Sequence, residues 1–126
     1  MPDRPPVLVV DDEPLNRDLL RRTLKRDVEV LEAEDAPQAL EVLAARRDIA
    51  LVLTDQLMPG PSGTELARSV RLGWPDVPVV LMTGYDQDPA LAKALADGLV
   101  VAIVAKPWQA PALRQLIARL LARGVA

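Results

Sequence analysis

The sequence predicts an α/β fold, a doubly wound sheet of five parallel strands with a helix after each. Three observations carry this. Short continuous apolar runs alternate five times with stretches of helical periodicity. Such runs, unbroken by polar residues, are expected of strands buried on both faces. Strict alternation of strand and helix implies a parallel sheet covered on both sides. At 126 residues the chain reads as one domain, 1–126, with no linker or low-complexity stretch. Half the residues are hydrophobic, yet there are only two Trp, one Tyr and no Phe, so the core must be aliphatic.

Residues 1–6 read as a flexible polar tail without the apolar stretch of a signal peptide. Residues 7–10 form the first strand. Pro14 suits a helix's first turn, and Leu15, Leu19, Thr23 and Leu24 then recur at helical spacing. Residues 28–33 mix apolar and acidic side chains, as at a sheet edge. Pro37 opens a second helix with Leu40 and Leu43 inward. Residues 49–53 are wholly apolar and predict a central strand. Ser62 and Glu65 form a capping-box pattern ahead of a helix carrying Leu66 and Val70; Gly73-Trp74-Pro75 stops it. The fourth strand is read over 77–82, with Pro78 at its start, where no ladder donor is needed. Asp88-Pro89 begins a fourth helix and Gly98 ends it, and residues 99–104 make the fifth strand. Leu113, Leu116, Ile117, Leu120 and Leu121 give the last helix one apolar stripe. Arg21-Arg22 and Arg46-Arg47 read as solvated helix faces, and Trp74 and Trp108 as packing residues.

Composition excludes several classes. Net charge is −3 and no Lys/Arg block exceeds a pair, so no basic footprint for nucleic acid is visible. The absence of Cys rules out disulfides and thiolate metal sites and fits the cytoplasm. No apolar run approaches the ~20 residues of a membrane span. Histidine is absent, which excludes imidazole chemistry within the chain. Any phosphohistidine this domain meets is therefore expected to belong to another molecule.

The chemistry sits where the strands end. The first strand runs into Asp11-Asp12, the third into Asp55, the fourth into Thr83-Gly84 and the fifth into Lys106-Pro107. In an open α/β sheet, the carboxyl edge of the strands is where sites are built. Two carboxylates about 4 Å apart repel by roughly 4 kcal/mol at an effective dielectric near 20. Three acids in one crevice therefore call for a cation, and an all-oxygen ligand set favours Mg²⁺. A carboxylate beside Mg²⁺ and an ammonium is suited to accept a phosphoryl group. The bland alternative for Asp11-Asp12-Glu13 is simple capping of the first helix.

These residues, with Met58-Pro59 and Gly63, occur in the order and at the intervals of a known family. Over essentially its whole length the chain resembles a receiver domain of the two-component response regulators, in the single-domain chemotaxis form. The resemblance implies that Asp55 is the phosphoacceptor. Asp11 and Asp12 would hold Mg²⁺ together with Asp55 and the backbone carbonyl of Leu57. Thr83 would be the switch hydroxyl and Lys106 the phosphate-binding cation. It also implies the flavodoxin-like strand order 2-1-3-4-5 and a cis Lys106-Pro107 bond. Ile103 stands where the family often has an aromatic switch residue. Leu57 is apolar where many relatives are polar, and Tyr85 lies two residues beyond Thr83; together they are expected to shield an acyl phosphate and slow its hydrolysis. The implied partners are a histidine kinase or phosphotransfer protein and a downstream output protein or domain. The output would engage the face made by the fourth helix, fifth strand and fifth helix, which also suits a phosphorylation-dependent homodimer. No direct nucleic-acid or membrane partner is expected. Such a chain would catalyse only its own phosphorylation and dephosphorylation.

Two competing functions are weighed against this one. A pseudo-receiver scaffold would keep the fold and bind partners without phosphorylation; the complete acid, hydroxyl and lysine set argues against it. An aspartyl-phosphate phosphatase of the haloacid dehalogenase type needs a second Asp two residues after the nucleophile, and Leu57 stands there.

Overall fold

The computed structural model describes residues 4–84 and 88–125, with side chains as far as residue 122. Five strands alternate with five helices: β1 (Pro6–Val10), α1 (Pro14–Leu24), β2 (Glu29–Ala33), α2 (Ala36–Ala45), β3 (Leu51–Asp55), α3 (Gly63–Gly73), β4 (Val79–Thr83), α4 (Pro89–Ala96), β5 (Ala102–Ala105) and α5 (Ala110–Val125). All neighbouring strands are parallel, in the order β2-β1-β3-β4-β5. This is the expected doubly wound sheet.

Each central strand sends alternate side chains to opposite faces, which produces two cores. Leu8, Val10, Val52 and Leu81 pack with Leu43 of α2, Leu66 and Val70 of α3 and Leu91 of α4. Val7, Val9, Leu53, Val80 and Met82 pack with Leu20 and Leu24 of α1 and with Leu113 and Ile117 of α5. Trp74 joins the first core and Trp108 the second, both as packing residues. Leu116 and Leu121 flank the buried α5 stripe, as its spacing predicts.

The helix ends follow local chemistry. Asp35 caps α2 by accepting from the Gln38 amide, and Asp88 caps α4 by accepting from that of Ala90. Ser62 and Glu65 form the complete capping box of α3. Gly98, just beyond α4, has φ +74°, a left-handed turn that glycine enters without penalty.

Several expectations need correction. The segment read as a tail is structured from its second half. Pro6 begins β1, and the Pro5 and Pro6 carbonyls accept from Glu29 N (3.0 Å) and Ala50 N (2.8 Å). Met1–Asp3 lie outside the described residues. Strands β3, β4 and β5 begin two to three residues later than apolarity suggests, because Ile49, Val77 and Leu99 pack against the core before the ladder starts. Helix α1 buries Leu20 and Leu24, whereas Leu15 and Leu19 are 81% and 53% exposed. The helix carries two leucine stripes one residue out of phase. Arg17 and Arg21, both reaching Glu32 on β2, sit on the helix that turns the Leu20 stripe inward. Arg46 is no merely solvated residue: it binds Glu29 through two contacts of 3.1 Å and Asp48 at 2.9 Å. Arg21 likewise pairs with Asp18 and Glu32.

Candidate functional site

The carboxyl ends of four strands converge on one acidic recess. Asp11 follows β1 directly, held by its amide donating to Ala33 O (3.1 Å) and by Arg17 Nη1 donating to its carbonyl (2.8 Å). Asp55 is the last residue of β3, and β3 pairs directly with β1, so the two acids are neighbours. Asp11, Asp12 and Asp55 each place a carboxylate oxygen within 4.8 Å of the others. Thr83 ends β4 and is buried, and its carbonyl accepts from Lys106 N at 2.9 Å. That bond anchors the strand-to-lysine step on β5. The Lys106-Pro107 peptide is cis, as expected.

Lys106 Nζ lies 2.9 Å from Asp55 Oδ1 and 3.7 Å from Asp11 Oδ2. Burial pushes the Asp55 carboxyl above its ordinary value, the Lys106 hydrogen bond and charge pull it back, and Asp11 adds a smaller upward push; the net direction is up. One ammonium thus faces two of the three acids, Asp55 and Asp11.

Asp11 shows how a cation would be received. Its Oδ1 accepts from Glu13 N at 2.9 Å, shaping the turn into α1. Its Oδ2 is fully buried with no hydrogen-bond partner, although buried polar atoms are normally satisfied. Glu13 is the N-cap of α1 and makes no side-chain cap bond, so of the acidic run only Asp11 is seen bonding to the helix start, through Oδ1. The three acids form a cluster able to hold a metal ion, and their all-oxygen character suits a hard cation.

The remaining expected residues fall into place unevenly. Leu57, in the β3–α3 loop, is 72% exposed. Tyr85, its expected partner in shielding, lies outside the described residues. Ile103 is half-buried on β5, paired with Leu81 and packed on the first core.

Three features escaped the sequence reading. Arg17 supports Asp11 from α1 and has no motif to announce it. Leu15 and Leu19, read only as recurring at helical spacing, stand exposed; Leu19 lines a recess of about 370 Å³ with Asp11, Asn16, Lys106, Pro107 and Trp108. Gln56, directly after Asp55, is buried and takes two hydrogen bonds from Thr64 on α3.

Comparison with known proteins gives a consistent result. Residues 7–118 match the family described as the response regulator receiver domain. The chemotaxis protein CheY homolog of Campylobacter jejuni is 32% identical over 122 residues, covering 94% of this chain and 93% of that one. The hydrogenase transcriptional regulatory protein HoxA of Cupriavidus necator is 35% identical over 102 residues. That alignment takes in 81% of this chain but only 21% of the longer protein. Among solved structures, a response regulator receiver domain protein from Clostridium thermocellum superposes with TM-score 0.87 at 28% identity, covering 94% of each chain. Response regulator TrrA from Thermotoga maritima, in complex with Mg²⁺ and BeF, superposes with TM-score 0.80 at 31% identity, covering 91% of this chain and 97% of that one.

Proposed function

The chain belongs to the response regulator receiver domains, and we propose that it works as a phosphoacceptor whose Asp55 takes a phosphoryl group from a partner's phosphohistidine. The observation that carries this is the 2.9 Å pairing of Lys106 with Asp55, beside a buried Asp11 whose Oδ2 lacks a hydrogen-bond partner. The phosphohistidine must lie outside these 126 residues, which contain no histidine.

In the transfer, an Asp55 carboxylate oxygen attacks phosphorus in line. The phosphorus–nitrogen bond breaks, its electron pair leaves with the imidazole, and an acyl phosphate remains on Asp55. Lys106 offsets charge on the phosphoryl oxygens, and the Thr83 hydroxyl donates to one of them. Asp11, Asp12, Asp55 and the Leu57 carbonyl would hold Mg²⁺, which supplies further charge neutralisation on those oxygens. The chain is then its own substrate rather than an enzyme with turnover. The added charge and acceptors draw the β4–α4 end toward Asp55, a switch by local electrostatics.

Exposed Leu15, Leu19 and Leu57 support a docking face for the kinase or phosphotransfer protein on the α1 side of the recess. The α4-β5-α5 face, where Leu95 and Val101 are 45% and 44% exposed, would engage the output protein or a second copy of the chain. Both steps take place in the cytoplasm in this reading.

The test is intact mass after incubation with acetyl phosphate, with and without Mg²⁺, for wild type and Asp55→Asn. A Mg²⁺-dependent gain of one phosphoryl group, absent in the variant, supports the reading. No gain under any condition, with beryllofluoride also failing to bind, would move the phosphorylation-independent scaffold to first place.

A further inference from the structure

We infer that Gln56 and Thr64 are positioning residues for the cation site, because together they pin the β3–α3 loop that carries the Leu57 carbonyl. The inference rests on the receiver reading above and extends it to residues with no assigned part in the chemistry.

The loop leaves β3 at Asp55 and re-enters regular structure at Gly63. Pro59 and Pro61 restrict its middle, and Gly60 between them takes the left-handed turn at φ +79°. Its two ends are joined by one residue. Gln56 donates its amide to Met82 O on β4 (2.9 Å), and its carbonyl accepts from Gly63 N (2.9 Å). Its side-chain Oε1 accepts twice more, from Thr64 N (2.8 Å) and Thr64 Oγ1 (2.8 Å).

The first amides of a helix have no partner within it and must find one elsewhere. In α3 the N-cap Ser62 takes only the Glu65 amide. Gln56 takes the other two, Gly63 with its main chain and Thr64 with its side chain. One residue, bonded covalently to Asp55 on one side and to Leu57 on the other, therefore fixes both atoms against the start of α3. Gln56 and Thr64 are themselves buried. Losing the amide side chain would leave the Thr64 N–H and hydroxyl inside without an acceptor. The least costly relief is for the loop to rotate, and the Leu57 carbonyl moves with it.

This arrangement makes Gln56 an outer partner of the metal site that contacts no cation. Groups in that position set ligand orientation, and their loss typically weakens metal affinity about 10–100-fold.

The test is a Mg²⁺ titration of the unphosphorylated chain, followed by the backbone amide NMR shifts of Asp12 and Leu57, with urea unfolding of the same samples. Gln56→Ala should weaken Mg²⁺ binding by about tenfold or more. Thr64→Val keeps the backbone donor and loses only the hydroxyl, so it should weaken binding by a smaller factor. Val70→Ala, a core truncation on the same helix, should lower the urea midpoint while leaving Mg²⁺ affinity within about twofold. Two results overturn the inference while leaving the receiver reading intact: a Gln56→Ala affinity within twofold of wild type, or an equal loss in Val70→Ala. A wild-type chain whose shifts do not respond to millimolar MgCl₂ removes the cation reading itself.

Discussion

Gly63→Ala is the sharpest test of how closely α3 sits against the end of β3 that carries Asp55. A Cβ built on Gly63 would fall 2.5 Å from the Asp55 carbonyl oxygen, 2.7 Å from Leu81 Cδ2 and 3.1 Å from Gln56 Cα. Leu81 can turn, but the other two contacts are backbone. Opening the shortest to even 3.0 Å moves the first turn of α3 from β3 by about 0.5 Å, the difference between the two distances. That shift stretches the Gly63 N to Gln56 O bond and both Thr64 bonds to Gln56. Overpacking of this kind costs about 1–3 kcal/mol, and a weakened buried hydrogen bond adds about 1 kcal/mol. Restricting the unfolded chain gives back about 0.4–1 kcal/mol. The expected net loss is about 2–3 kcal/mol, or roughly 10 °C in Tm for a domain of this size. Urea unfolding followed by far-UV circular dichroism measures it, with an unchanged m-value as the check on two-state behaviour. Gly73→Ala is the comparator. It sits at the other end of α3 with nothing within 4 Å of its built Cβ, so it should stabilise by about 0.4–1 kcal/mol. A Gly63→Ala midpoint equal to wild type, or shifted in the same direction as Gly73→Ala, would refute the reasoning.

Three further outcomes are expected. Burial holds the Asp55 carboxyl above its ordinary value, so the stability it contributes is full below the ordinary carboxyl range and lost as pH rises through the raised value. Asp55→Asn should therefore raise the urea midpoint near neutral pH, with the gain fading below about pH 4; a lowered neutral midpoint would contradict this. Arg46 hydrogen bonds hold Glu29 and Asp48 below their ordinary values, so this cluster stabilises above the carboxyl range and stops doing so as pH falls through the lowered values. Arg46→Ala should lower the midpoint modestly at neutral pH, and the two proteins should converge near about pH 2; a constant gap across the acid range would argue for packing instead. Ser62→Ala removes the N-cap acceptor of α3 and should cost about 1 kcal/mol in urea unfolding. No measurable loss would mean that Gln56 alone suffices to cap that end.

What the sequence discloses and what it hides divide along physical lines. The strands were legible because burial on both faces demands apolar runs, and the site because four such runs end in Asp11, Asp55, Thr83 and Lys106. The capping box at Ser62 and Glu65 was legible because both partners lie within one turn. The strand starts were misplaced because apolarity reports burial, while a strand is defined by its ladder: Ile49 and Val77 are covered before pairing begins, and Asp55 and Thr83 still pair although polar. Spacing alone leaves the buried face of α1 open because two leucine stripes compete, and long-range bonds from Arg17 and Arg21 to Glu32 mark the outcome. Gln56 with Thr64 was invisible because neither residue belongs to a motif, and only the fold of the intervening loop brings them together.

The pairing of β1 with β3 has a consequence for how the protein can fail. Val7 lies opposite Leu51, so Asp11 and Asp55 become neighbours only after a long stretch of chain has closed between them. Lys106 arrives later still, on the far side of β4. The charge cluster therefore belongs to no fragment. A nascent chain, a clipped product or a partly opened state that has lost the β3–β5 half carries Asp11 and Asp12 but neither Asp55 nor the Lys106 counter-charge. Incomplete copies of this protein should thus lack the site altogether rather than present a defective one, because it assembles only with the whole sheet.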